Sequence, residues 1–135
     1  MNVGVTERPS LHLTSITVSC PAPRALADFY ARLLGATLTA SEPPLPDEPP
    51  EAGWAQLAAG ALTVNFEYER HWTPPVWPAE QGRQTATQHF DIHVHDLDAA
   101  TQWAVECGAR VASVQPQEDV RVLFDPAGHP FCLFT

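Results

Sequence analysis

Two glycines set the ground plan of this chain. Gly35 opens the segment GATL and Gly108 opens GARV, and each glycine suits the end of a helix, where a left-handed residue lets the chain turn away. Ser15 stands 20 residues before Gly35, and His89 stands 19 before Gly108. The order strand–helix–strand–strand–strand therefore reads through twice, the signature of an internal repeat. A half of this size cannot cover its own sheet, so the two halves must pack as one unit.

In the first half LHLTSITVSC (11–20) alternates apolar and small polar residues, as a half-buried strand does. PAPRALADFYARLLG (21–35) reads as a helix, with Pro23 in the first turn and Ala22, Leu26, Phe29, Tyr30 and Leu33 at helical spacing. ATLTA (36–40) is a strand, SEPPLPDEPPEAG (41–53) a proline-rich acidic loop, and WAQLAAGALTVNFEYE (54–69) a hairpin turning near Ala59-Gly60. An aromatic loop, HWTPPVWPAEQGRQTATQ (71–88), leads to the second half. There HFDIHVH is a strand, and Asp96 caps a helix whose Leu97, Ala100, Ala104 and Cys107 share one face. RVASVQ, DVRVLFD and HPFCLFT are strands, with a turn at DPAG (125–128). The expectation is one domain over residues 1–135: a first module at about 11–69, a connecting loop at 70–88 and a second module at 89–135.

Composition narrows the function. Hydrophobic content of 44% against 17% charged residues describes a globular chain rather than a disordered one. A net charge of −9 argues against nucleic acid or an anionic membrane as partner, since both require a basic patch. All seven basic residues are Arg, so a Schiff-base lysine is excluded. Cys20, Cys107 and Cys132 have no pairing motif and read as reduced thiols. The opening MNVGVTERPS lacks a signal pattern, and no apolar run approaches the ~18 residues of a membrane span. A soluble cytoplasmic protein is expected.

The stretch QHFDIHVHD (88–96) is the densest in chemistry. Alternation along a strand sends Phe90, Ile92 and Val94 to one face and His89, Asp91, His93 and His95 to the other. His89 with Asp91 or Glu67 is the best general-base candidate. His89 and His93 would stand about 13 Å apart along the strand, too far to share an ion. His89 and Asp91 would meet on one ion only through bent side chains. Cys132 has no activating His beside it in sequence and reads as a small filler, and His129 reads as a structural turn residue. Trp72 and Trp77 bracket a Pro-Pro pair. They read either as an aromatic lid for a planar ligand or as pins holding the loop to its own domain or to a second subunit.

The segments ADFYARLLGA (27–36), HFDIHVHDLDAA (89–100) and DPAGHPFCLF (125–134) resemble the vicinal oxygen chelate superfamily, the glyoxalase, bleomycin-resistance and extradiol-dioxygenase group. With TPPVWP (73–78), the chain looks most like a glyoxalase-like branch common in actinobacteria. The resemblance implies an α+β fold of two paired βαβββ modules forming an open-barrel cup that holds a ligand, and a homodimer. Metal-dependent members take ligands from the first and fourth strands of each module. Those positions fall here on Ser15, on Glu67 or Asn65, on His89 and on Cys132; the family usually has His where Ser15 stands and Glu where Cys132 stands. The expected function is a small-molecule-binding protein of the bleomycin-resistance type. It would take a planar or aromatic metabolite without a metal, as in the sequestration of a toxic natural product. Ser15, Thr17, Asn65, His93 and Cys132 would line the cup, with Trp72, Trp77 and Trp54 against the ligand. The alternative is a lyase or isomerase with His89 as base and Glu67 or Asp91 as partner, retaining a divalent ion at Glu67 and His89.

Overall fold

The computed structural model describes residue 4 and residues 7–135. Residues 1–3, 5 and 6, half of the segment MNVGVTERPS read for a signal pattern, lie outside the described residues. The elements follow the doubled order: β1 (Ser15–Cys20), α1 (Pro23–Leu34), β2 (Thr37–Glu42), β3 (Trp54–Ala59) and β4 (Leu62–Tyr68), then β5 (Phe90–His93), α2 (Leu97–Cys107), β6 (Arg110–Val111), β7 (Val120–Phe124) and β8 (Pro130–Phe134). Each module builds a four-stranded sheet with the same topology, β1-β4-β3-β2 and β5-β8-β7-β6. The first and fourth strands of each module pair in parallel and the others antiparallel. The two sheets share no strand pairing, so the barrel is open and β1 and β5 each keep one unpaired edge.

Local chemistry explains the ends of the helices. Pro23 occupies the first turn of α1, where its missing N–H costs nothing, and Gly35 closes the helix at φ 63°. In α2 the Asp96 carboxylate accepts from the Ala99 N–H at 3.0 Å, and Gly108 closes it at φ 122°.

The core lies between the helices and one face of each sheet. Leu26, Ala27, Phe29 and Tyr30 of α1 pack with Leu57, Val64 and Phe66 of the first module and with Leu123, Phe131 and Leu133 of the second. Tyr30 sits at the centre. Its ring stacks on Phe66 at 5.8 Å and meets Phe90 and Phe131 edge-on at 5.3 and 6.1 Å. One helix thus serves both sheets, the physical form of the expectation that neither half stands alone. The helices also touch: Trp103 Nε1 donates to the Leu33 carbonyl at 3.0 Å, and the Arg32 guanidinium lies over the Trp103 ring.

Three strands are clearly shorter than the sequence pattern suggests: β5 keeps only Phe90–His93 of HFDIHVH, leaving His89 and His95 outside it, and β1 and β6 are cut back as well. β1 begins at Ser15 rather than residue 11, because its first partner is Thr63 and β4 reaches back only to the turn at Gly60. Leu11 and Leu13 are left exposed. RVASVQ supplies only Arg110–Val111, because the Gln115 side chain takes over the ladder. Its amide accepts from the Val122 N–H and donates to the Val122 carbonyl, both at 2.8 Å. Among the described residues no helix is long and apolar enough to cross a membrane.

Candidate functional site

Alternation within the sheets decides which side chains face away from the helices. Register pairs Ser15 with Thr63, Thr17 with Asn65 and Ser19 with Glu67, while the intervening Val64 and Phe66 enter the core. Gln56 donates to the Asn65 amide oxygen at 2.8 Å, and Trp54 stands opposite Glu67. On the second sheet Asp91 is opposite Cys132 and His93 opposite Phe134, with Phe90 and Ile92 turned to the core. The non-helical face of the first sheet is therefore polar. That of the second is mixed.

Where the modules meet, a buried network joins them. Asp125 is 4% exposed, and its carboxylate accepts from the Tyr30 hydroxyl at 2.7 Å. It also accepts from the His129 ring Nδ1 at 2.8 Å and from the Ala127 and His129 backbone N–H groups at 2.9 and 3.0 Å. His129 Nε2 lies 2.9 Å from the Ser19 carbonyl of the first module. Both ring nitrogens face acceptors, so both contacts are made in full only with a proton on each. Burial and the Asp125 charge push the Tyr30 hydroxyl well above the usual phenol range. Trp72 lies against His129, with ring centroids 4.8 Å apart.

This network forms one wall of a cavity of about 1060 Å³ between the unpaired edges of β1 and β5. Ser15, Thr17 and Ser19 line it from β1, His89 and Phe90 from the second module, and Trp72 and His71 from the connecting loop. Among the described residues, the carboxylates in its wall are Glu69 and Asp125, and no Arg lines it. Of the residues singled out by sequence, Ser15, Thr17, His89 and Trp72 meet here. Trp54, Asn65, Glu67, Trp77, Asp91, His93 and Cys132 do not line this cavity. Trp77 instead packs edge-on to Phe124 at 6.5 Å and, with Cys132, covers Val122 and Ala112. His93 packs edge-on to Phe134 and His95.

A second group gathers beside the cavity. His89 Nε2 lies 3.2 Å from Asp91 Oδ1, both side chains being half-exposed or more. With Cys132 they offer three donor atoms within 4.8 Å of one another. Burial, then the charge and hydrogen bond of Asp91, push the Cys132 thiol up. Along its own strand segment His89 finds a single nearby donor partner, Asp91. The parallel neighbour β8 supplies the third. One imidazole, one carboxylate and one thiol fit a divalent metal as a donor set, whereas Ser15 and Glu67 are not in the group.

Sequence reasoning passed over Tyr30, Asp125, Glu69 and His71. For the first two a signal existed: a tyrosine on the core face of a helix needs a partner for its hydroxyl. An aspartate following the apolar run VLF is a ready one.

Residues 15–134 match the glyoxalase-like domain family. The chain belongs to that family. No curated protein sequence matches it. Among solved structures it is similar to the fosfomycin resistance protein FosX from Listeria monocytogenes, in a mutant form complexed with Mn(II) and 1S,2S-dihydroxypropylphosphonic acid. That match has 13% identity, covers 91% of this chain and 90% of that one, and has a TM-score of 0.68. A glyoxalase family protein from Enterococcus faecalis aligns at 16% identity over 92% of this chain and 97% of that one, TM-score 0.65. FosX from Mesorhizobium loti aligns at 12% identity over 92% and 90%, TM-score 0.65. At these identities the glyoxalase-like chain shares a fold with them, the open two-module α+β arrangement of the vicinal oxygen chelate superfamily.

Proposed function

We propose that this glyoxalase-like protein binds a small planar molecule, uncharged or cationic, in the cavity between its modules. The observation that carries the reading is the lining of that cavity. Its volume of about 1060 Å³ is at the upper end for a small-molecule site. The β1 hydroxyls of Ser15, Thr17 and Ser19 supply directional hydrogen bonds, and Trp72 supplies a flat apolar surface. Glu69 and the absence of Arg in the wall make it a poor receptor for a phosphonate, the ligand class seen with FosX. Sequestering a toxic natural product, as in antibiotic resistance, is one use of such a cavity. The three cysteines, all free, suit a reducing cytoplasm. A homodimer is part of the same reading, and Leu11, exposed before β1, suits such a contact.

The test is tryptophan fluorescence of the tag-free chain titrated with 2-naphthol, N-methylquinolinium and methylphosphonate. Saturable quenching by either planar probe, lost in Trp72→Phe, is expected. Saturable binding of the phosphonate alone would overturn the reading.

A second reading is a lyase or isomerase with His89 as general base. It is favoured by the 3.2 Å contact between His89 and Asp91 and by the position of His89 in the cavity wall. Asp91, rather than Glu67, is then the orienting carboxylate. In that case His89→Ala removes turnover while ligand affinity stays within about tenfold.

A further inference from the structure

The connecting loop also borders a second cavity, of about 650 Å³, at the outer edge of the second sheet. β6 forms that edge, at the far end of the sheet from β5. Local chemistry fixes the walls. The Val76 N–H donates to the Gln84 carbonyl at 2.7 Å, and Val76 bridges to Thr85, so the loop closes on itself. Gly128 has φ 99°, and a Cβ there would stand 3.1 Å from the Pro74 side chain, so the loop lies close on the turn before β8. Trp77 packs edge-on to Phe124. Across from the loop, the Gln115 amide donates to the Ala112 carbonyl at 3.0 Å and holds the bend at Ser113. The cavity is thus built into the fold, and its volume lies within the range of small-molecule sites.

Its charge sets it apart from the first cavity. Arg83 and Arg110 line it, two of the seven basic residues in a chain of net charge −9. Among the described residues no Asp or Glu lines it. The Arg110 guanidinium lies 4.7 Å from the centre of the Phe124 ring and has no carboxylate partner among the described residues. A contact with a ring face orients a guanidinium without neutralising it, so the N–H donors stay available to an anion. Arg83 pairs with Glu80 at 3.6 Å, both side chains exposed, a surface pair weak enough for an incoming anion to displace. Trp77, Val111 and Val114 add apolar wall, and the two valines are 39% and 45% exposed. We infer that this cavity binds the anion of a small aromatic acid, with its carboxylate on Arg83 and Arg110 and its ring against Trp77 and the two valines. Paired guanidiniums match a carboxylate in charge and shape, and the apolar walls match the ring. A bare inorganic anion gains only the first set of contacts and a neutral aromatic only the second. The preference is opposite to that of the first cavity, where Glu69 and Asp125 stand. The inference does not rest on the reading of that cavity, and different residues report on the two.

The experiment is an amide NMR map of the full, tag-free chain titrated with 2-naphthoate at neutral pH and constant ionic strength. Expected are saturable shifts at residues 110–114, at Gly128 and at the Trp77 indole N–H, the last assigned through Trp77→Phe. Arg83→Gln and Arg110→Gln, both at exposed positions, each weaken binding by about tenfold or more while circular dichroism stays that of the parent. 2-Naphthol and inorganic phosphate, each carrying half of the ligand's chemistry, need at least about tenfold higher concentration to move the same peaks. Shifts confined to Ser15–Ser19 and His89, or no saturable shift at millimolar 2-naphthoate, overturn the site. Unchanged affinity in a folded double variant of Arg83→Gln and Arg110→Gln overturns it as well. Phosphate binding there as tightly as 2-naphthoate overturns the aromatic acid as its ligand.

Discussion

Tyr30→Phe isolates one hydrogen bond at the junction of the modules. The ring is 2% exposed, and its stacking on Phe66 and edge contacts with Phe90 and Phe131 survive the change. What goes is the hydroxyl and its 2.7 Å bond to Asp125. Asp125 keeps three donors: the His129 ring and the Ala127 and His129 backbone N–H groups. The carboxylate is therefore not orphaned, and the loss is that of one hydrogen bond to a charged group, about 1.5–3 kcal/mol. With a urea m-value of about 2 kcal/mol/M, the midpoint should fall by roughly 1 M at unchanged m. Asp125→Ala should cost more, about 3–5 kcal/mol, because it leaves the Tyr30 hydroxyl, two N–H groups and the imidazole without their acceptor. The double variant should cost less than the sum of the two, since both remove the same bond. The assay is urea unfolding followed by circular dichroism. A Tyr30→Phe midpoint within error of the parent would refute the claim that this bond fastens module to module.

Gly53→Ala should destabilise by at least about 1 kcal/mol, read in the same urea assay, because φ is 99° there and a Cβ would collide with the Glu42 carbonyl. The Cys20 thiol, fully buried and pushed up to about 12, should resist thiol reagents in the native chain and react on unfolding. Its folded value lies above the ordinary 9.0, so the stability it confers is whole below about pH 9 and is lost as pH rises toward 12. That loss is at most about 4 kcal/mol. Tyr30 acts in the same sense, so Cys20→Ala should lessen, without abolishing, the fall in melting temperature above pH 9.

The repeat of glycine-closed helices made the doubled order of elements legible, and the family resemblance supplied the open-barrel pairing of the modules. The Asp96 cap and the hairpin turn fell where composition put them, because caps and turns are decided by neighbouring residues. The ends of β1 and β6 did not, since a strand is as long as its partner. One partner stops at Gly60, and Gln115 replaces the other. The site shows the same division. Alternation placed His89, Asp91 and His93 on one face, a property of a single strand. That Cys132 stands beside Asp91 depends on the register of β8, and that Asp125 meets Tyr30 depends on packing across 95 residues of sequence. Neither is visible along one strand. The tryptophans of the connecting loop could be read two ways, and Trp77 packs on Phe124 while Trp72 lies against His129 in the cavity wall.

The most direct measurement of the ligand reading is an amide NMR map of the full chain titrated with 2-naphthol. Saturable shifts at Ser15–Ser19, Trp72 and His89 are the predicted result, since these residues wall the cavity between the modules. Shifts confined to Gln56, Asn65 and Glu67 on the open face of the first sheet, or no saturable shift at millimolar probe, would contradict it.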